Sequence, residues 1–494
     1  MAHASAAAET FAEQPKHARA VDKESATGFA RGPSTQNDLF NNWAQKAAFS
    51  VRMVPRLKHR LDRILARGPV VIYSDHSGSG NGEEGLQDVL EQWVEASDVP
   101  VCPGSPVAWS CCDLCPEAQT ALTKTSTCKH LFNRVEDFAD DSLRRKLMKK
   151  LPKASDAPDK KLQKLEMMSN ELSTRSREYF PPGRTALCLR IGVRGTATCL
   201  WSGEKVPVMS PASAADASAH DVIFHENVMR FETALLHDAF SDMYDIFEFT
   251  LSPPIHVGWP IRRPRRLTAM VRKDKWCCSA NQAEFLSLFG REPSLTGSDL
   301  LCADDETVQE YMCEKLKRKG LWVTGNRSPD PKMCLTNAQR HRLEDCLRTQ
   351  AEADPAPEDY VMDVTQNLDW TSVTQYAPLW FHRAQRFALP VEHLAMQGIP
   401  VMRHLDPNPV PGDRSWCRFI ESNKVATDPG QDRFCLSLAG NGMHRPLMGT
   451  WMCYMLSTIC PRQQDFVFQM RSFSTNRSDE DNMSDEESFE FCTC

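Results

Sequence analysis

No stretch of about 18 apolar residues free of charge occurs in this 494-residue chain, which argues against a membrane-spanning helix. The N-terminus has no signal-like apolar run either; Ala is mixed there with acidic and basic residues, so a protein that is nuclear or otherwise intracellular, and not secreted, is expected. The 19 cysteines lack the regular spacing of a secreted disulfide framework, and no His/Cys set has zinc-ligand spacing. Reduced thiols and no metal are therefore expected. Positive charge is not in excess: 58 Lys and Arg stand against 65 Asp and Glu, for a net charge of −7. A chain-wide attraction to phosphate is excluded on that balance. The absence of an internal repeat excludes a solenoid.

What is present is enough apolar residue, 41%, for a large core and two or three folding units. Charge is concentrated locally. Arg262, Arg263, Arg265, Arg266, Arg272, Lys273 and Lys275 face only Asp274 in their stretch, while the segment 461–494 is an acidic tail expected to be disordered. Residues 1–45 lack a sustained period and read as a disordered leader. A basic, helix-permissive stretch from Arg56 to Arg67 is broken by Gly68-Pro69 before the buried-type run Val70–Tyr73. A second run, Val107–Cys112, ends at Asp113 and leads into a helix from Pro116. Further buried strands follow at Leu187–Ile191 and Val222–Phe224. Strand alternating with helix predicts an α/β fold with a parallel sheet. Arg144–Lys164 reads as a charged helix and solvated loop, 276–375 as an irregular separate lobe, and Pro390–Gln397 and Gly449–Ile459 as helices.

Three sets of residues carry chemistry. Gly80, Gly82 and Gly85 form a G-x-G-x-x-G between a strand and a helix, where small residues let a nucleotide-like ligand approach the backbone. Asp113, closing the next strand, is placed to accept hydrogen bonds from a ribose. A nicotinamide dehydrogenase would use the same loop and acid, so the fold leaves both classes open. Glu226 ends the strand begun by Val222, between the cysteine-bearing stretch at Cys199 and the arginine cluster from Arg262.

Taken in order, these segments resemble the cytosine-C5 DNA methyltransferases. Asp75-His76-Ser77-Gly78-Ser79-Gly80 resembles the family's S-adenosylmethionine loop, with His76 at its aromatic position and Asn81 where a second glycine is usual. Asp113 stands in place of its ribose-binding Glu. Thr198-Cys199-Leu200-Trp201-Ser202 resembles the nucleophile loop, with one residue fewer between cysteine and aromatic. His225-Glu226-Asn227-Val228 resembles the Glu-Asn-Val segment, and Gly258–Arg265 resembles Gly-x-Pro-Gln-x-Arg-x-Arg, with Ile261 replacing the glutamine. Arg386–Pro400 resembles the helix ending in Leu-Gln-Gly-Phe-Pro, and Gly440-Asn441 resembles the Gly-Asn that folds back beside the cofactor.

The resemblance implies an S-adenosylmethionine-dependent methyltransferase (Rossmann-like) mixed sheet with an inserted smaller recognition lobe. It divides the chain into a catalytic core at 69–275, the lobe at 276–375 and a C-terminal part of the core at 376–460. The implied reaction is methyl transfer from S-adenosylmethionine to carbon 5 of a flipped cytosine in DNA. Cys199 would add to carbon 6, Glu226 would bind the Watson–Crick edge, Asn227 would brace its loop, and Arg263 and Arg265 would hold base and phosphate. Asp75, His76, Ser77, Gly78, Gly80, Asp113 and Asn441 would hold the cofactor. RNA as substrate and a catalytically silent nucleic-acid- or cofactor-binding protein are the alternatives.

Overall fold

The computed structural model describes residues 29–75, 78–96, 107–113, 115–126, 128–132, 187–193, 220–322, 329–352, 361–363, 378–405 and 415–462. Seven strands build one sheet: β1 (Val70–Asp75), β2 (Val107–Cys112), β3 (His130–Phe132), β4 (Leu187–Val193), β5 (Val222–Asn227), β6 (Tyr244–Leu251) and β7 (Arg265–Arg272). Their order across the sheet is β3-β2-β1-β4-β5-β7-β6. Strands β1 to β5 run parallel, and β7 lies antiparallel between β5 and β6. The fold is therefore mixed α/β, as expected. Chain order reverses between β1 and β4, and in open sheets of this kind ligands bind beyond the carboxyl ends of the strands at such a point.

Among the described residues, three helices precede β1, four lie between strands of the sheet and one follows β7: α1 (Gln36–Asn41), α2 (Trp43–Arg52), α3 (Pro55–Arg67), α4 (Asn81–Glu95), α5 (Pro116–Thr125), α6 (Ala234–Phe240), α7 (Pro253–Val257) and α8 (Gln282–Phe289). After them come α9 (Asp305–Arg318), α10 (Asn337–Ala351), α11 (Pro390–Ala395), α12 (Trp416–Ser422), α13 (Asp432–Asn441) and α14 (Arg445–Thr458).

Two large apolar clusters organise them. The first fills one face of the sheet with α2, α3, α4, α8 and α14, from Val51 and Leu61 through Trp93 and Phe224 to Phe285, Trp451 and Leu456. Its tightest seam is the crossing of α4 and α14. A Cβ on Gly449 would lie 2.2 Å from the Gly85 carbonyl oxygen, and one on Gly85 would lie 2.6 Å from the Arg445 carbonyl oxygen. Only glycine permits that approach. Arg445, at the start of α14, locks the seam with paired bonds to Asp88 (2.7 and 2.8 Å) and one to Glu84 (2.7 Å). The third glycine of the G-x-G-x-x-G thus serves helix packing.

The second cluster runs from Leu300 through Tyr311, Leu343, Trp380 and Leu394 to Ala439, and takes in Trp259 and Ile261. Its boundaries depart from those expected. The strand Trp276–Cys278 pairs with Ile459–Pro461, and α8 packs into the sheet's core, so 276–289 belongs with the sheet. Conversely, α11, α12 and α13 pack into the second cluster, and only α14 returns to the sheet. The stretch 276–375 also has more regular structure than expected. Asp304 caps α9, whose buried Val308, Tyr311, Met312 and Leu316 form a helical stripe.

The expected leader likewise ends early. Within it, Thr35 caps α1, and Leu39, Phe40, Ala44, Ala47, Ala48 and Val51 are buried at helical spacing. Their burial against the two clusters is what orders 29–45. Residues 1–28, Arg144–Lys164 and the acidic tail from 463 lie outside the described residues.

Candidate active site

The loop after β1 is shaped by two glycines in the left-handed region, Gly78 (φ 60) and Gly80 (φ 80), a conformation other residues adopt at a cost. Asp113, just past β2, holds this loop: its Oδ2 accepts the Gly78 amide at 2.8 Å and its Oδ1 accepts the Cys115 amide at 2.8 Å. The Asp113 carbonyl takes the Gln119 side chain as well. One acid therefore joins the β1 loop to the start of α5, and its remaining lone pairs are what a hydroxyl could use.

The turn between α13 and α14 closes over the same loop. Asn81 Nδ2 donates to the Met443 carbonyl at 2.7 Å, and a Cβ on Gly78 would sit 3.9 Å from the Asn441 carbonyl oxygen. Arg263, only 1% exposed, donates to the carbonyls of Gly440 (3.1 Å) and Gly442 (2.6 Å). The expectation of a base or phosphate contact at Arg263 needs correcting accordingly. Its guanidinium is inside the protein and supports the turn carrying Asn441.

Glu226 and Arg265 form the other half of the edge. In register, Glu226 faces Val193 of β4 and Leu267 of β7. Arg265 begins β7 two residues before Leu267, on the same face and diagonal to Glu226. Their side chains meet at 2.7 Å, with Glu226 2% and Arg265 11% exposed. So the acid at the strand end is buried with a cation in place, and Arg265 is directed to Glu226 rather than outward. Asn227, fully buried, accepts the Val228 amide at 2.8 Å and stiffens the turn out of β5. Of the cluster's other arginines, Arg262 is exposed and Arg266 donates to the Phe231 carbonyl.

Two further titratable groups lie here, one buried and one partly buried. His225 has neither ring nitrogen hydrogen-bonded among the described residues and packs 4.9 Å from the Phe231 ring. Burial pushes it down to about 4, although Glu226 opposes this. Glu84 is raised to about 8 by burial and by Asp88 and Glu83, with Arg445 pulling the other way. An acidic pair opening a helix was the available signal for the latter. Glu83 and Glu84 both lie in the first turn of α4, and Glu83 takes the Cys111 thiol at 3.6 Å.

Gly78, Gly80, Asp113 and Asn441 are thus gathered at the reversal point between β1 and β4, and Glu226, Asn227 and Arg265 at the neighbouring β5–β7 edge. Asp75 closes β1 through its backbone. Its side chain, and residues His76, Ser77 and Cys199, lie outside the described residues.

No family model and no curated protein matches the chain. Among solved structures it is similar to the Dnmt2 methyltransferase of S. pombe, at TM-score 0.35 and 11% identity over 78% of this chain and 98% of that one. It is also similar to the methyltransferase EhMeth of Entamoeba histolytica, at TM-score 0.35 and 10% identity over 78% and 98%. Likeness at this level assigns no activity, which depends on the groups in the site. Among the described residues, no helix is long and apolar enough to cross a membrane.

Proposed function

We propose that the protein methylates carbon 5 of cytosine in DNA, using S-adenosylmethionine. The observation that carries this reading is the buried Glu226–Arg265 pair beside Val193, the residue from which the Cys199 segment leaves β4. Cys199 follows Val193 by six residues, a chain that spans at most about 20 Å, which is enough for the thiol to reach the edge where the acid sits.

The loop side favours S-adenosylmethionine over a dinucleotide. A pyrophosphate would have to approach the positive end of α4, and there Glu83 and Glu84 already stand in the first turn. Glu84, raised to about 8, is mostly protonated at neutral pH, so Glu83 is the acid that disfavours a phosphate there and suits a cationic ligand. Gly78 and Gly80 would line the cofactor, Asp113 would offer its free lone pairs to the ribose, and Asn441 would close the turn above it. Asp75, His76 and Ser77 complete the loop. When bound, S-adenosylmethionine supplies an electrophilic methyl group.

The chain's own residues prepare the base. Cys199, as thiolate, forms a bond to carbon 6 and pushes electron density to carbon 5. Glu226 binds the Watson–Crick edge and favours protonation of the ring nitrogen, and Arg265 holds the acid in place. After carbon 5 is methylated its proton leaves, and elimination of the Cys199 sulfur restores the aromatic ring. The base must be extruded from the duplex for either group to reach it. Arg262, exposed beside the edge, offers a cation for the phosphate backbone, and the helical cluster from Leu300 to Ala439 is the candidate for target recognition.

The test is trapping with duplex DNA carrying 5-fluorocytosine, in which loss of the carbon 5 proton is blocked. A covalent adduct that needs cofactor and is abolished by Cys199→Ser is expected. An adduct on RNA alone would move the activity to RNA. Cofactor binding with no adduct on either would overturn catalysis and leave a silent binding protein.

A further inference from the structure

Two short strands beside the sheet, Trp276–Cys278 after β7 and Ile459–Pro461 after α14, pair antiparallel with Cys277 directly opposite Cys460. The pairing continues past both ends. The Ser279 amide donates to the Thr458 carbonyl at 3.2 Å, and the Arg462 amide to the Lys275 carbonyl at 2.9 Å. Cys277 and Cys460 lie midway between these two links, which places them in a hydrogen-bonded pair, where Cα atoms are about 5.5 Å apart. A disulfide accepts Cα separations of roughly 4.4–6.8 Å. Opposed residues share a face, so the two side chains point the same way.

That face is the outer one. The alternate positions Trp276 and Ile459 are buried in the sheet's core, whereas Cys277 and Cys460 are half-buried thiols. Lys275 and Arg462, two positions away, flank them on the same side. Lys275 pairs with Asp221 at 3.0 Å and Arg462 approaches Asp245 at 3.6 Å. From α3, Arg60 reaches the other end, on Ser279 (2.6 Å) and Thr458 (3.1 Å).

We propose that Cys277 and Cys460 form a reversible disulfide with a low-molecular-weight disulfide such as oxidised glutathione as oxidant. The Cys277 thiolate attacks a glutathione sulfur, making a mixed disulfide and releasing one glutathione thiolate. The Cys460 thiolate then attacks the Cys277 sulfur and releases the second. The protein loses two electrons and two protons, and the oxidant gains them. The bond closes the whole loop from Cys278 to Ile459, which carries α8, the second cluster and α14. It stands apart from the methyl-transfer reading, because nothing in it requires turnover.

The test equilibrates the full chain with reduced and oxidised glutathione, quenches in acid, alkylates the remaining thiols and maps the peptides by mass. A Cys277–Cys460 link that grows with the oxidised fraction and reverses on reduction is expected. It should persist in Cys278→Ser and vanish in both Cys277→Ser and Cys460→Ser. Closing so long a loop should raise the thermal midpoint of the oxidised protein by about 5 °C, with no rise in either variant that lacks the link. A vicinal Cys277–Cys278 bond, a glutathione adduct that goes no further, or a Cys460 alkylated under every condition would overturn the proposal.

Discussion

Asp113 and Glu226 stand at the same carboxyl edge of one sheet and are held in opposite ways. Asp113 spends its oxygens on two backbone amides, Gly78 and Cys115, so its charge shapes a loop. Glu226 meets a side-chain cation, Arg265, so its charge is stored in a buried pair, and such pairs are costly to break but contribute little net stability. A carboxylate satisfied by backbone is a structural strut with some acceptor capacity left. One paired with a side-chain cation is held at the edge where a ligand would arrive.

The largest expected effect separates the two. Glu226→Gln keeps the shape and removes the charge, and should lower the rate of adduct formation by about a hundred- to ten-thousand-fold with little change in cofactor affinity, measured by single-turnover trapping and by calorimetry. An equal loss of cofactor affinity would merge the two halves of the edge. Next comes Gly449→Val, which forces a side chain against the Gly85 carbonyl and should cost about 3 kcal/mol in denaturant unfolding. The loop side depends on that seam, so cofactor binding should weaken along with stability. Smaller again, Asp113→Ala leaves the Gly78 and Cys115 amides without their acceptor and should cost about 1–3 kcal/mol. Its signature is the reverse of the first variant: weaker cofactor binding, with trapping restored at saturating cofactor.

How much of this could be read from the chain follows from how local each signal is. The run Val70–Tyr73, its Gly-Pro break and the glycines behind it are contiguous, so strand, loop and α4 were legible, as was the strand delivering Glu226. The two-lobe division was legible only in outline. Its true borders depend on where Trp276 and Phe285 pack and on which cluster receives α13, and these are contacts between segments hundreds of residues apart. The roles of Gly85 and Arg263 were hidden for the same reason. Gly85 reads as a ligand glycine until Gly449 is seen against it, and Arg263 reads as a base and phosphate contact until the Gly440 and Gly442 carbonyls are found around it. The stripe of α9 and the spacing from Leu39 to Val51 were visible in principle, but charged and Ala-rich surroundings masked them.

The comparison is also sharpened through pH, because the two sides carry opposite displacements. On the strand side, burial holds His225 down to about 4 from an ordinary value of 6.5. Its neutral form favours folding, so its contribution is intact above pH 6.5 and is lost as pH falls from 6.5 toward 4. On the loop side, Glu84 is raised to about 8 from 4.5 by burial and by its acidic neighbours. There the protonated form favours folding, so the contribution is intact below pH 4.5 and is lost as pH climbs from 4.5 toward 8. Each group adds at most one proton, about 1.4 kcal/mol per pH unit, to the slope of stability against pH. Between pH 4.5 and 6.5 the two slopes oppose each other, so denaturant titrations across pH 4–8 should show His225→Gln flattening the limb below pH 4.5 and Glu84→Gln the limb above pH 6.5, while each variant uncovers the other group's slope in between. A single variant that flattened both limbs would mean that the charges on the two sides titrate as one network, and the contrast between Asp113 and Glu226 would then lose its electrostatic basis.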